Sequence, residues 1–261
     1  MRNRSLLTAF LLLALPSVFG CQRMIASSET SARAFSAQMQ LSGLQLQTVG
    51  ERKNPRQIVI LLHGWGAPGD DLVPLGEALS APGRLFVFPE APLVSPGGGR
   101  AWWHLDVTRI QAARDQGQKR DLRSEQPEGM AEASAQVRRL LDELRQRAPE
   151  ASVIIGGFSQ GAMLSTDVTL EASSSLAGLV VMSGTVVNEA RWAPSFKALR
   201  SGFPIFISHG RGDAILPFEL AEALRDHAST GMPTITWLPF DGGHEIPMPV
   251  LARLRGFLGS R

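Results

Sequence analysis

The chain of 261 residues contains no tyrosine and one cysteine, Cys21. The lack of tyrosine excludes every mechanism that needs a phenol as acid, base or oxyanion donor. A single cysteine excludes an intrachain disulfide. The net charge is also small, with 26 Lys and Arg residues against 24 Asp and Glu residues. The pI of about 9.2 reflects the shortage of groups that titrate between about pH 7 and 10, so it does not indicate nucleic-acid binding.

The N-terminal apolar run, Leu6–Leu15, is shorter than the roughly 20 residues needed to span a bilayer. Two arginines precede this run, and Val18-Phe19-Gly20-Cys21 follows it, which resembles a bacterial lipoprotein cleavage site. We therefore expect residues 1–20 to be a secretory signal of the lipoprotein type and residues 21–40 a tether. A single folded domain would cover residues 41–261. The protein would then be exported to the cell envelope, on the outer-membrane or periplasmic side, and anchored in the membrane through a lipid on Cys21. Ordinary secretion with cleavage nearby is the alternative.

Short apolar runs and amphipathic stretches alternate along the body of the chain. The runs are continuous rather than alternating, as expected for strands covered on both faces: Ile58–Leu62, Leu85–Phe88, Val153–Ile155, Leu179–Met182, Ile205–Ile207 and Ile235–Leu238. Apolar residues recur at steps of three and four over 130–144, 220–224 and 250–258, which predicts helices. Leu41–Val49 would add an antiparallel edge strand. The pattern predicts one α/β domain with a mostly parallel sheet and helices on both faces.

Ligands bind beyond the carboxyl ends of the strands in such a sheet, so the residues that follow the predicted strands are the candidates for a functional site. Gly157-Phe158-Ser159-Gln160-Gly161 is a G-x-S-x-G sequence directly after a predicted strand. A nucleophile at a sharp strand-to-helix turn needs neighbours without side chains, which both glycines provide. Ser159 is therefore the predicted nucleophile.

A serine nucleophile requires a base, and the base requires an acid that orients it. His244 lies in a glycine-containing loop after the last predicted strand, and Asp213 lies in a glycine-bracketed turn after the strand before it. We predict His244 as the base and Asp213 as the acid. The backbone N–H groups of Trp65 and Gln160 are the predicted oxyanion donors, from the loop after the first buried strand and from the residue after the nucleophile.

The same loop offers a competing interpretation. Gly64-Trp65-Gly66-Ala67-Pro68-Gly69 matches G-x-G-x-x-G, and Glu90 follows at the spacing of a dinucleotide-binding site. Pro68 and the carboxylates of Asp70 and Asp71 disfavour a pyrophosphate at this position, so an oxidoreductase is the less favoured hypothesis. A non-catalytic binding lipoprotein on a hydrolase scaffold is a further alternative.

Seven segments of the chain form a recognisable combination. They are Leu62-His63-Gly64-Trp65-Gly66, Asp71-Leu72, Pro89-Glu90-Ala91-Pro92, Arg100-Ala101-Trp102-Trp103, Gly157-Phe158-Ser159-Gln160-Gly161-Ala162, His209-Gly210-x-x-Asp213 and Gly243-His244. Together they resemble the phospholipase/carboxylesterase family of α/β-hydrolases, which includes acyl-protein thioesterases and small bacterial carboxylesterases. The resemblance implies a serine esterase that cleaves small-molecule esters or thioesters through an acyl-enzyme, with Ser159, Asp213 and His244 as its triad. It implies no cofactor, metal or nucleic-acid partner.

Two segments near the expected site each allow two interpretations. Trp102 and Trp103 would either pack in the core or form an apolar wall for the substrate. Leu105–Gln126 carries charges of both signs and would form a loop or short helical flap near the mouth of the site.

Overall fold

The computed structural model describes residues 35–106 and 121–260, with the single positions 108, 110, 112, 115 and 116 between these ranges. The predicted signal segment, Cys21 and the tether up to residue 34 lie outside the described residues. Much of the predicted flap over Leu105–Gln126 does so too. In the described part of the chain, no helix is both long and apolar enough to cross a membrane.

Eight of the ten described strands form one sheet in the order β1-β2-β4-β3-β7-β8-β9-β10. The sheet strands are β1 Gln38–Leu41, β2 Leu44–Gly50, β3 Gln57–Leu62, β4 Arg84–Pro89, β7 Ser152–Phe158, β8 Gly178–Met182, β9 Pro204–Gly210 and β10 Thr234–Phe240. The pairs β1·β2 and β2·β4 are antiparallel, and all other pairs in this sheet are parallel. Strands β5 Leu93–Val94 and β6 Arg100–Ala101 form a separate antiparallel hairpin.

The six α-helices with defined ends in the described ranges lie between or after the parallel strands. They are α1 Val73–Ala78, α2 Met130–Arg147, α3 Gln160–Ala172, α4 Glu189–Lys197, α5 Phe218–Ser229 and α6 Met248–Gly259. A 3-10 turn, Ser173–Ser175, follows α3. The mostly parallel α/β architecture predicted from the sequence is therefore confirmed.

The sheet separates two apolar cores, because successive side chains of a strand point to opposite faces. In β3, Ile58 and Ile60 contribute to one core and Val59 and Leu61 to the other. The first core is completed by apolar side chains of α2, α3, α4 and α5, and the second by those of α1 and α6. Both faces are covered, which explains why all six residues of β3 are buried.

The N-terminal edge of the sheet is a hairpin rather than one strand. Ser42 and Gly43 have φ values of 51° and 76° and form the turn between β1 and β2 within the predicted strand Leu41–Val49. Strand β1 begins at Gln38, and the Phe35 side chain is buried against the first core. The sheet domain therefore starts before the boundary at residue 41, and the last residues of the 21–40 range are part of it. The domain begins earlier because β1 forms hydrogen bonds with β2 and the Phe35 side chain is buried in the first apolar core.

Candidate active site

Ser159 occupies a strained turn between β7 and α3. Its φ is 54° and its ψ is −118°, a backbone conformation that side-chain-bearing residues rarely adopt. Its N–H donates a hydrogen bond to the Met182 carbonyl oxygen at 2.9 Å, which ties the turn to the neighbouring strand β8. Helix α3 begins at the next residue and extends for 13 residues, so its positive dipole end lies beside the Ser159 side chain.

The glycines on either side of Ser159 are required by close backbone contacts. A Cβ atom on Gly157 would lie 2.4 Å from the Leu62 carbonyl oxygen, and one on Gly161 would lie 2.0 Å from the same atom. Neither distance is tolerated by a real side chain. The G-x-S-x-G pattern is thus explained by the approach of the turn to the end of β3.

The structure brings Asp213 and His244 together. They follow the adjacent parallel strands β9 and β10, in which Gly210 lies opposite Phe240. The His244 Nδ1 atom donates a hydrogen bond to Asp213 Oδ2 at 2.6 Å. The His244 side chain is 12% exposed and that of Asp213 is fully buried, so the pair is largely shielded from water.

Asp213 remains ionised despite its burial. Burial by itself would raise its pKa, but hydrogen bonds from His209 and His244 hold the pKa well below its ordinary value. The Ile215 and Leu216 backbone N–H groups donate to Oδ1 at 2.8 and 2.9 Å. Both carboxylate oxygens are therefore fixed, and the orientation of the His244 ring is fixed with them.

His209 is a second histidine on Asp213, a role that we did not predict. Its Nε2 atom lies 2.9 Å from the Leu216 carbonyl oxygen and 3.2 Å from Asp213 Oδ2. Since a carbonyl oxygen only accepts, Nε2 carries the hydrogen and faces both oxygens. Nδ1 is buried without a partner among the described residues. The signal in the sequence was the position of His209 at the end of β9, four residues before Asp213.

Ser159 and His244 line one cavity of about 200 Å³. The Phe158 ring lies against the His244 imidazole, with centroids 4.7 Å apart. No hydrogen bond joins the Ser159 hydroxyl to another described residue. Such bonds often tighten only when substrate is bound. The remaining walls of the cavity are largely apolar and include Leu105, Met163, Ile215 and Leu216.

Trp65 and Gln160, the predicted oxyanion donors, also line this cavity. A Cβ atom on Gly64 would lie 3.4 Å from Ser159 Cβ, so the loop that carries Trp65 approaches the serine closely. Neither backbone N–H donates to another residue in the described part of the chain. Both groups are therefore available to a developing negative charge.

His63 holds the Trp65 loop as a neutral imidazole. Its Nδ1 donates to the Gly64 carbonyl oxygen at 2.8 Å, and its Nε2 accepts from the Ala91 N–H at 3.1 Å. Burial lowers the pKa of His63, which favours this uncharged form. The Trp102 indole N–H donates to the His63 carbonyl oxygen at 3.0 Å and fixes the loop from a second side.

Trp102 and Trp103 pack in the core and do not form an apolar wall for the substrate. Each is about 1% exposed and belongs to the first core, and neither lines the cavity. The buried Gln160 side chain bridges them: its Oε1 accepts from the Trp102 N–H and its Nε2 donates to the Trp103 carbonyl oxygen, both at 2.9 Å. The alternative of a substrate wall is corrected, because both indoles are buried in the first core and neither lines the cavity.

The glycine-rich loop does not form a pyrophosphate cradle. A Cβ atom on Gly69 would meet the Glu90 side chain at 2.7 Å, and Glu90 forms an ion pair with Arg100 instead of facing a ribose. Helix α1 begins only at Val73 and has six residues. The dinucleotide interpretation therefore loses its structural basis.

Comparisons with known proteins agree with this geometry. Residues 45–260 match the phospholipase/carboxylesterase family model. Acyl-protein thioesterase 1 of Yarrowia lipolytica is 28% identical over 197 residues, which cover 70% of this chain and 82% of that protein. Acyl-protein thioesterase 1 of Eremothecium gossypii is 33% identical over 63% of this chain and 69% of its own length. The crystal structure of esterase PE8 superposes with a TM-score of 0.70 and 26% identity, over 83% of this chain and 98% of that one. The chain belongs to the phospholipase/carboxylesterase family of α/β-hydrolases.

Proposed function

We propose that this carboxylic ester hydrolase acts through a covalent acyl-serine on Ser159. The observation that carries the proposal is the buried hydrogen bond of 2.6 Å between Asp213 and His244, in a cavity that Ser159 shares. A carboxylate on Nδ1 leaves Nε2 of the neutral imidazole free to accept a proton.

In the first half-reaction the Ser159 oxygen attacks the carbonyl carbon of an ester or thioester. His244 takes the hydroxyl proton as the new C–O bond forms, and the carbonyl electron pair moves onto oxygen. The Trp65 and Gln160 N–H groups stabilise this oxyanion. The bond to the leaving alcohol or thiol then breaks, and His244 gives its proton to that leaving group.

In the second half-reaction water replaces the alcohol. His244 removes a proton from water as the water oxygen attacks the acyl-serine, and it returns a proton to Ser159 when the acid product departs. The ionised Asp213 stabilises the imidazolium that forms in each half-reaction. Its depressed pKa supports this role, because the carboxylate is charged throughout the neutral pH range.

A fluorophosphonate probe tests the proposal directly, since it phosphonylates an activated serine. We expect labelling of the purified folded domain and its complete loss in Ser159→Ala. Ser165 is a matched control, because its hydroxyl lies on α3 and donates to the Gly161 carbonyl oxygen at 2.8 Å. Labelling should persist in Ser165→Ala. A folded protein that takes no label and hydrolyses no ester would instead be a binding protein on this scaffold.

We propose further that the protein is exported and lipid-anchored at Cys21. The basic, apolar and small-residue order of residues 1–21 supports this assignment. Metabolic labelling of the full chain with a fatty-acid analogue should give a lipid-bearing, membrane-associated product. Cys21→Ser should abolish the label, whereas persistence of the label would contradict Cys21 as the modified residue.

A further inference from the structure

An apolar groove of about 410 Å³ lies beside the catalytic cavity. It is formed between α1 and the start of α6, and its lining includes Leu75, Ile246, Met248 and Leu251. Its volume lies within the range of small-molecule sites, about 300–1,000 Å³. Asp71 is its one charged lining residue.

The groove and the catalytic cavity have two lining residues in common, Asp71 and Phe158. Two of the four large apolar side chains that are exposed in the described part of the chain mark these openings. Ile215, 51% exposed, lines the cavity, and Met248, 72% exposed, lines the groove. Exposed apolar side chains at the rim of a concave site are typical of surfaces that bind apolar ligands.

The groove lies on the histidine side of the site. The Phe158 ring, which forms one of its walls, contacts the His244 imidazole, and Ile246 follows His244 by two residues. In ester cleavage the histidine must reach the leaving oxygen or sulfur to protonate it. The alcohol or thiol part of the substrate therefore departs on this side, while the apolar wall of Met163, Ile215 and Leu216 remains for the acyl part.

We infer that the groove binds the leaving group of the substrate and that this group is an apolar, uncharged alcohol or thiol. The inference rests on the proposed function, because it takes His244 as the proton donor. Leu75, Met248 and Leu251 contact the hydrocarbon chain of the leaving group. The exposed Asp71 carboxylate, at the junction with the catalytic cavity, disfavours leaving groups that carry negative charge.

Alkyl acetates from methyl to hexyl test the inference, because every member gives the same acetyl-serine. Differences in kcat/KM then arise before or during acylation, on the leaving-group side. A groove open along one side buries each methylene by about half, so we expect kcat/KM to rise about twofold per methylene and roughly 30-fold from methyl to hexyl. Ethyl esters from acetate to hexanoate provide the matching series for the acyl side.

Two methionines give a matched pair of variants. Met248 and Met232 are both 72% exposed, and only Met248 lines the groove. Met248 is the first residue of α6, where aspartate is favourable for the helix dipole, and Met232 has a φ of 55°, which aspartate tolerates. We expect Met248→Asp to lower kcat/KM for hexyl acetate about tenfold more than it lowers kcat/KM for methyl acetate. Met232→Asp should change kcat/KM for neither hexyl acetate nor methyl acetate.

The outcomes separate the inference from the proposed function. A flat alkyl series with a normal rate for methyl acetate would overturn the groove assignment and leave the serine mechanism intact. A Met248→Asp effect confined to the acyl series would overturn it as well. If the wild-type protein hydrolysed no ester and took no fluorophosphonate label, the groove assignment and the proposed serine mechanism would both be overturned. For an acetate ester whose alcohol ends in a carboxylate, Asp71→Asn should raise kcat/KM about threefold, and an unchanged value would refute the charge preference.

Discussion

The Gln160 side chain gives the sharpest quantitative prediction. Its amide satisfies the buried Trp102 N–H and Trp103 carbonyl oxygen, each at 2.9 Å. Replacement by methionine keeps the length of the side chain but removes both hydrogen bonds. A buried polar group left without a partner costs about 1–3 kcal/mol, so Gln160→Met should lower the free energy of unfolding by about 2–6 kcal/mol. The backbone N–H of residue 160 is retained, so the folded variant should keep far more activity than Ser159→Ala.

Urea unfolding followed by circular dichroism measures this loss. Gln146, exposed on α2, is the control, and Gln146→Met should stay within about 0.5 kcal/mol of the wild type. The reasoning would be refuted if Gln160→Met were as stable as Gln146→Met. In that case the two buried backbone groups would not depend on the amide.

Four further outcomes follow from the structure. Asp213→Asn should lower kcat by a factor on the order of 10⁴, measured on a soluble ester. Because the pKa of Asp213 is depressed in the folded state, its contribution to stability is complete above about pH 5 and decreases as the pH falls below about 4. The free energy of unfolding of Asp213→Asn should therefore fall less than that of the wild type as the pH is lowered below about 4. Gly161→Ala should lose about 3 kcal/mol or more of unfolding free energy, because its Cβ would overlap the Leu62 carbonyl oxygen, whereas Gly256→Ala, with open space around its Cβ position, should lose none. Asp167→Ala should destabilise the chain by about 1–3 kcal/mol in urea unfolding, because the Trp192 indole N–H would lose its acceptor at 2.8 Å.

Much of the fold could be predicted because its strongest signals are local. Buried parallel strands appear as short, continuous apolar runs. Each observed strand begins one residue before its run and ends with it or up to three residues after it. Helix α1 was not predicted, since its six residues include Pro74 and Gly76. Its position depends on distant strand residues: a Cβ atom on Gly76 would lie 2.4 Å from the Phe88 ring. Helix α4, which contains Pro194, was missed for a similar reason.

In the candidate site, too, local features could be predicted and contacts between distant residues could not. Chain order and glycine spacing predicted that Ser159, Asp213 and His244 follow the ends of strands, and the structure places them there, with Asp213 hydrogen-bonded to His244 and Ser159 lining the same cavity as His244. The hydrogen-bond partners of the site side chains could not be predicted from the sequence. His209 reaches Asp213 only because the turn after β9 folds back, and Gln160 reaches Trp102 only across the buried end of the sheet. Such contacts depend on how separate loops pack, for which a single sequence carries no periodic signal.

The left-handed backbone of Ser159 has a consequence for engineering. A residue with a side chain in such a region is disfavoured by about 1–3 kcal/mol, and the surrounding sheet must supply that energy. Glycine adopts the same angles without penalty, so Ser159→Gly should melt at a higher temperature than the wild type while losing its nucleophile. Laboratory evolution that screens this enzyme for heat resistance alone would therefore favour inactive chains, and every round needs a turnover assay beside the thermal one.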